Sequence, residues 1–398
     1  MKKNVLSKKI ILPAAVSAAL FSLNSYATQG TMPHGYGVKS EGMGGVVTAL
    51  PQDAIAGASN PAGMLSVGER IDGGLAFLKV DNGVDFNDVN ADGTADGDLY
   101  IIPQFGINHL LDEANSIGLS VVGNGVGTQY DSDENIGGLQ APGSEFQQIV
   151  STFSYAHSLN ASHTLGVGVM AIYQTLQIDG TASIGLQEGK DSAYGAGLRF
   201  GWLGAFGDRF RAGASYQTRG YMSKMDKFDN LLAEGGDMDL PANFSLGASY
   251  VLGDWTLAAD FQRVFWRDVN TFGNPGVSTA SGATGDSDGA GFGWNNQNIW
   301  RIGAAYTLSP QLTLRGGYND SRQLLDSDST YLGLLAPAAN HRHITLGATY
   351  TTRADSEWSV AYARSFEGKV SGTGLAPDSL TDPYMSQHWL SLGYGTAF

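Results

Sequence analysis

Leu390-Ser391-Leu392-Gly393-Tyr394-Gly395-Thr396-Ala397-Phe398 closes the chain with the larger residue at every second position and Phe at the end. Successive side chains of a strand point to opposite faces. Leu390, Leu392, Tyr394 and Phe398 therefore share one face, with Ser391, Gly393, Gly395 and Ala397 on the other. An apolar face backed by small residues describes a strand with lipid on one side and a lumen on the other. The edge strand of a soluble sheet would give the same nine residues, so the rest of the chain has to decide.

Working back from that end, the same period of two recurs. Ile302, Ala304, Tyr306 and Leu308 alternate with Arg301, Gly303, Ala305 and Thr307; Phe244, Leu246, Ala248 and Tyr250 alternate with Ser245, Gly247 and Ser249. Strands are expected near 70–80, 99–109, 115–129, 146–158, 163–178, 191–204, 208–222, 242–252, 255–268, 297–308, 311–321, 341–352, 357–368 and 387–398. That makes fourteen, an even number that puts both ends on one side of the membrane. The connections alternate between tight turns (Gly207-Asp208, Gly253-Asp254, Ser309-Pro310) and longer stretches rich in Asp, Gly and Ser. Sorting of long loops to one side is the habit of an outer-membrane barrel and has no purpose in a sandwich. The fold class read here is all-β, a transmembrane antiparallel β-barrel. Trp202, Trp255 and Trp358 fall beside short turns and Trp266, Trp300 and Trp389 beside long loops, as two interfacial belts would require. Arg199, Arg211, Arg219, Arg301 and Arg315 fall on the opposite strand faces and are expected to face the lumen, since Arg against mid-membrane lipid costs ~2–4 kcal/mol.

The opposite end reads as a secretion signal, residues 1–27. Lys2, Lys3, Lys8 and Lys9 precede an apolar stretch, and Ser25-Tyr26-Ala27 fits a small-x-small cleavage site. No later apolar run reaches the roughly 18 residues of a spanning helix. Cys is absent, and 23 basic residues face 38 acidic ones. Without the signal lysines the net charge moves from −15 to −19, which argues against a nucleic-acid partner. Gly, at 55 of 398 residues, is about twice the usual 7% and suits tight turns and crowded barrel interiors.

Residues 28–69 alternate too poorly for a strand pair and are expected to form a compact N-terminal hatch in the lumen of a barrel spanning 70–398. Three runs carry a family resemblance: Gly35-Tyr36-Gly37-Val38-Lys39-Ser40-Glu41-Gly42-Met43-Gly44-Gly45, Ala49-Leu50-Pro51-Gln52-Asp53-Ala54, and Asn60-Pro61-Ala62-Gly63. Together with Trp300-Arg301-Ile302-Gly303 and Leu312-Thr313-Leu314-Arg315-Gly316-Gly317-Tyr318, they resemble the FadL/TodX family of outer-membrane transporters for long-chain fatty acids and other hydrophobic compounds. The resemblance implies a fourteen-stranded barrel with an N-terminal hatch. It also implies a kinked third strand, for which Gly123, Gly125 and Gly127 are the candidates, with Asn60, Pro61 and Ala62 as the hatch element facing a lateral opening there. One motif departs: Asp320-Ser321 is followed by Arg322-Gln323, where many members carry Asp-x-Ser-Pro. Met32, Tyr36, Met43, Val46, Leu50, Ile55, Met64 and Leu65 are candidates for contact with a hydrophobic ligand. The expected function is passive uptake of such compounds, with no cofactor.

Other readings are weighed against this one. The glycine runs follow no strand of a βαβ unit, so a phosphate loop is set aside. Asp88, Asn90, Asp92 and Asp96 have calcium-loop spacing, but Leu99 stands where a bidentate Glu is needed. His341 and His343 lack a third ligand, and no catalytic constellation stands out, so no enzymatic activity is expected. A general porin for polar solutes and a surface adhesin or receptor acting through the loops are the alternatives. Expected partners are outer-membrane lipid and lipopolysaccharide, a hydrophobic small molecule, and the barrel assembly machinery, whose signal the terminal Phe398 resembles. The protein should fractionate with the outer membrane of a Gram-negative bacterium and change gel mobility on heating. Recovery of the mature chain in soluble periplasm would contradict the barrel.

Overall fold

The computed structural model describes residues 29–86, 89–91, 99–130, 135–352 and 355–398. Fourteen antiparallel strands close into a barrel. They are β1 (Arg70–Phe86), β2 (Leu99–Asp112), β3 (Asn115–Gln129), β4 (Gly143–Asn160), β5 (His163–Asp179), β6 (Gly189–Phe206) and β7 (Phe210–Gln217). There follow β8 (Asn243–Leu252), β9 (Trp255–Val264), β10 (Gln297–Ser309), β11 (Leu312–Ser321), β12 (Arg342–Thr351), β13 (Ser356–Lys369) and β14 (Thr381–Ala397). Each strand pairs with its neighbours in sequence, and β1 meets β14 from Arg70↔Ala397 to Phe86↔Thr381. Closure removes the free edges that an open sheet would present.

The alternation dictates which face is which. Leu390, Leu392, Tyr394 and Phe398 are exposed on the outside, while Ser391 and Trp389 are buried within. The same parity puts Ile302, Leu346, Val360 and Leu246 against lipid and Asn108, Ser120, Gln148, Thr152, Asp260, Asn319 and Thr345 in the interior. Arg199 and Arg301 are buried in the lumen as their parity requires. Arg211 has the inward parity but is exposed close to the turn after β6, and Arg219 lies beyond the end of β7, ion-paired with Asp237 and Asp239.

Short turns are tied by polar side chains. Asp112 accepts from the backbone N–H of Ala114 at 2.8 Å, and Asn160 from those of Ser162 and His163 at 2.9 and 3.1 Å. Gly253, at φ 59°, turns the corner between β8 and β9 where a Cβ would be strained. On the other side the long loops fold inward and cap the mouth. Trp266, Phe272 and Trp294 form the heart of that cap, with ring centroids 4.9–5.0 Å apart.

Two tryptophans depart from the expected belts. Trp255, Trp300 and Trp358 are exposed on the outside, but Trp266 and Trp389 are buried. β9 ends at Val264 rather than continuing to residue 268, so Trp266 lies in a 3-10 turn and packs into the cap. Trp389 has the odd parity of Ser391 and points into the lumen, its edge against His34 at 5.3 Å. β14 also begins at Thr381, six residues before the alternation becomes legible.

The chain has no Cys, so an introduced thiol is an isolated probe. Ser287→Cys, in the cap loop, should react with an impermeant reagent on intact cells and Asp254→Cys should not. The reverse pattern would invert the topology.

Candidate functional site

Residues 29–67 lie inside the barrel as a succession of short turns: Val38–Glu41, Ala54–Ala58, Pro61–Gly63 and Met64–Val67. Asp53 starts the second by accepting from Ile55 N at 3.1 Å. Asn60 starts the third by accepting from Ala62 N at 3.1 Å, with Pro61 at the first position, where its missing N–H costs nothing.

The backbone of this hatch touches the wall at glycines. A Cβ on Gly166 or Gly201 would overlap Ala62 or Asn60; on Gly213 or Gly247, Thr48 and Ala49; on Gly303 or Gly317, Met43 and Gly44. Polar contacts lock the fit. Asp260 of β9 accepts from Val47 N, Thr48 N and Thr48 Oγ1 at 2.8–2.9 Å. Asn60 Nδ2 donates to the carbonyls of Thr48 at 2.8 Å and Trp202 at 3.1 Å. Lys39 and Arg70 both meet Glu357 at 2.6 Å, and Arg70 also holds Asp72, which accepts from Ala54 N. Each buried donor stripped of its acceptor would cost ~1–3 kcal/mol.

Beside the hatch is a cavity of about 630 Å³, open solvent included, with Met32, Tyr36, Asn124, Val150, Arg199 and Arg301 in its lining. Arg301 donates to the His34 carbonyl at 3.2 Å and to Gln29 and Gln262 at 2.8 Å, and feels the charge of Asp260. Arg199 donates to Gln217 and to the Ser59 carbonyl, but its Nε has no acceptor and no carboxylate pairs with it among the described residues. Tyr36 donates to Asn124, and burial pushes its hydroxyl up to about 12, so it stays a neutral donor. Towards the cap lies a second, apolar pocket of about 310 Å³, lined among others by Val126, Phe146, Leu176, Phe272 and Trp294. Val122 and Asn124 of β3 border the first pocket and Val126 the second.

That same stretch of β3 stays on β4 but parts from β2. The β2–β3 ladder runs only from Phe105↔Val121 to Asp112↔Asn115. Beyond it, residues 99–104 pair with β1 and residues 122–129 with β4, so the two strands part. Gly123, Gly125 and Gly127 all lie on this parted edge. Gly125 N donates at 2.8 Å to the carbonyl of Thr31, which takes the place a β2 partner would have filled. The Asn60-Pro61-Ala62 turn is elsewhere, seated on β5 and β6, where Gly166 and Gly201 let its backbone approach closely; it is Thr31 that meets Gly125.

Of the apolar hatch candidates, Met32 and Tyr36 line the cavity. Met43, Val46 and Leu50 pack on Ala258 and Ala305; Met64 and Leu65 pack on Ala54 and Ala156; Ile55 joins the main core. Sequence reasoning did not single out Thr31, Asn124 or Asp260. Asp260 had a readable signal, an acid of inward parity in the run Ala258-Ala259-Asp260. The candidate calcium ligands Asp88, Asp92 and Asp96, and the side chain of Asn90, lie outside the described residues. His343 is wholly buried and stacks on His34 with centroids 5.6 Å apart; among the described residues no group of three metal-ligating side chains forms.

A closed barrel, plugged from within and split at one strand, defines an outer-membrane transport channel. Residues 11–379 match the model of the outer membrane protein transport protein family (OMPP1/FadL/TodX), and the chain belongs to that family of outer-membrane transporters for hydrophobic compounds. Among solved structures it is similar to the toluene transporter TodX of Pseudomonas putida, at 19% identity and TM-score 0.72, over 92% of this chain and 99% of that one. It is also similar to a FadL homologue of Pseudomonas aeruginosa, at 16% identity and TM-score 0.71, over 95% and 100%. The toluene transporter TbuX of Ralstonia pickettii follows at 18% and 0.64, over 92% and 99%. No curated protein matches the sequence.

Glu41 of the hatch supplies a pH test. Burial raises its carboxyl to about 7, against hydrogen bonds from Ser391 and Gln104 that favour the charged form. An acid whose folded pKa is raised stabilises least when ionised, so its contribution falls as pH climbs from about 4.5 towards 7. Glu41→Gln should leave the heat-dependent gel transition unchanged at pH 4 and raise its midpoint at pH 8. A lower midpoint at pH 8 would reverse the sign assigned to this group.

Proposed function

We propose that the chain takes up hydrophobic molecules that carry an anionic head, such as long-chain or aromatic acids, and releases them sideways into the bilayer. The observation that carries this is Arg199: a buried guanidinium with no carboxylate partner among the described residues, in a cavity whose lining also includes Met32, Val122 and Val150. An unpaired buried cation is costly and calls for an anion, and Arg presents donors in the geometry a carboxylate accepts. Tyr36, Asn124 and Gln217 supply further polar groups. Burying a hydrocarbon tail is worth ~0.8 kcal/mol per CH₂, so a short apolar stretch suffices to hold one.

The route starts in the apolar pocket beneath the cap, passes along the inner edge of β3, and reaches the hatch cavity. Release into periplasmic water would expose the tail again to the hydration it had escaped. The parted edges of β2 and β3 support an exit into lipid, with Thr31 as the piece of hatch that moves. A neutral aromatic hydrocarbon, the cargo named for TodX and TbuX, is the second reading and is favoured by the largely apolar outer pocket. A porin for polar solutes is opposed by the hatch, which fills the lumen.

In a host lacking its own hydrophobic-compound transporter, expression should restore growth on long-chain or aromatic acids. Arg199→Gln should lower uptake of the acid about 10–100-fold, the range of one lost charge-assisted contact, and leave a neutral analogue unchanged. Gly125→Val should lower both. Equal loss of acid and neutral analogue in Arg199→Gln would overturn the anionic head. Rescue of sugar uptake alone would favour the porin.

A further inference from the structure

The outside of the barrel carries charge unevenly. Tyr306 and Trp300 of β10, and Tyr250 and Phe244 of β8, mark the two girdles six residues apart. On β13 the residue six along from Trp358, with the same outward parity, is Arg364. Its cross-strand neighbour on β14 is His388, and the neighbour of His388 on β1 is Lys79. On the other side Arg364 meets Ile344 of β12, with Arg342 two residues further out.

Directly opposed residues in an antiparallel pair have Cβ atoms about 4.5–5.5 Å apart, so like charges placed there repel. Here Lys79, His388 and Arg364 follow one another around the wall. Lys79 is half-exposed and reaches Asp81 at 3.4 Å. Arg342 and Arg364 are exposed, and Arg364 has no acceptor among the described residues. His388 shares a bond of 2.7 Å with Tyr362, also on the outside. Elsewhere the outward positions beyond the outer aromatic residues carry single cations and not a row: Lys190 follows Ser192 on β6, and Arg263 follows Phe261 on β9, where it donates to Asn298. A cationic row at the outer girdle runs against the −15 charge of the chain, and neither the cavity nor the hatch uses it. The lipid facing the outer girdle of a Gram-negative outer membrane is a phosphorylated glycolipid. Arg pairs phosphate bidentately.

We infer that Lys79, Arg364 and Arg342, on the outer face of β1, β14, β13 and β12, form a docking site for the phosphate groups of outer-leaflet lipopolysaccharide. The site depends on the membrane placement of the barrel and not on what the lumen carries. Lys79 and Arg364 grip one phosphate across β14, with the His388–Tyr362 pair as the floor between them. Arg342 reaches the next phosphate or sugar acid outward. Asp81 and Asp320 flank the row and set its limits.

The test titrates the purified full-length barrel, in uncharged detergent with and without a chelator, with bisphosphorylated lipid A and with its dephosphorylated form. Affinity for the phosphorylated lipid should fall about tenfold or more in Lys79→Gln/Arg364→Gln, as two contacts to anionic lipid are lost, and stay unchanged in Arg263→Gln on β9. Arg364→Gln alone serves where the double variant does not keep its heat-modifiable mobility. Uptake should be unaffected in either. Equal binding of the two lipid forms, or unchanged affinity in the variants, would overturn the site. So would binding that vanishes with the chelator, since Asp81 and Asp320 would then be holding the lipid through a divalent cation.

Discussion

The structure depends on backbone meeting backbone. The hatch crosses the lumen at the distance set by main-chain atoms, and it does so because wall residues facing it lack a Cβ. Gly166, Gly201, Gly213, Gly247, Gly303, Gly317 and Gly347 stand on seven strands, each against a named piece of hatch. Interiors at close packing leave no slack for an added methyl. A side chain at any of these would displace the plug, and with it the cavity that Tyr36 and Met32 help to line. Part of the abundance of glycine is thus a record of where the hatch lies.

Around that fit the polar groups divide by task. Those that hold the hatch are paired: Asp260 with the Val47–Thr48 turn, Asn60 with Thr48 and Trp202, Glu357 with Lys39 and Arg70. Arg199 and Arg301 face the cavity without an ion pair among the described residues; Arg301 stands across the ladder from Asp260, whereas Arg199 has no carboxylate beside it. Breaking one member of a buried ion pair costs far more than a surface pair is worth, so a paired group is poorly suited to meet a passing ligand. An unpaired one is already carrying the cost of its burial.

The barrel was legible because lipid imposes a period of two on every membrane-spanning strand. Where lipid ends, so does the signal. β14 begins at Thr381 and β1 runs to Phe86, but Asp382, Tyr384 and Ser386 stand above the apolar band and no alternation marks them. Trp266 and Trp389 were misplaced for a related reason: nearness to a long loop sets a tryptophan's height, and only parity tells lipid from lumen. The site was harder. Which hatch residues line a cavity and which pack the wall is decided by contacts between segments some 200–300 positions apart, as between Thr48 and Asp260 or Gln29 and Asn319. The parted strands left two traces: the Gly123, Gly125, Gly127 run of β3, and Pro103 on the edge of β2, whose missing N–H suits a stretch with a partner on one side only.

The seam between β1 and β14 has a bearing on how the molecule is made. The hatch precedes β1 in the chain, yet Lys39 pairs with Glu357 of β13 and Gly42 lies against Gly347 of β12. Contacts so distant in sequence are slow to form, since the long loop between them must close first. Nor could the hatch slip past its glycine neighbours into a finished cylinder without prising the wall apart. The geometry fits one order best, in which the amino-terminal segment is already in its seat when the last strand seals the ring around it.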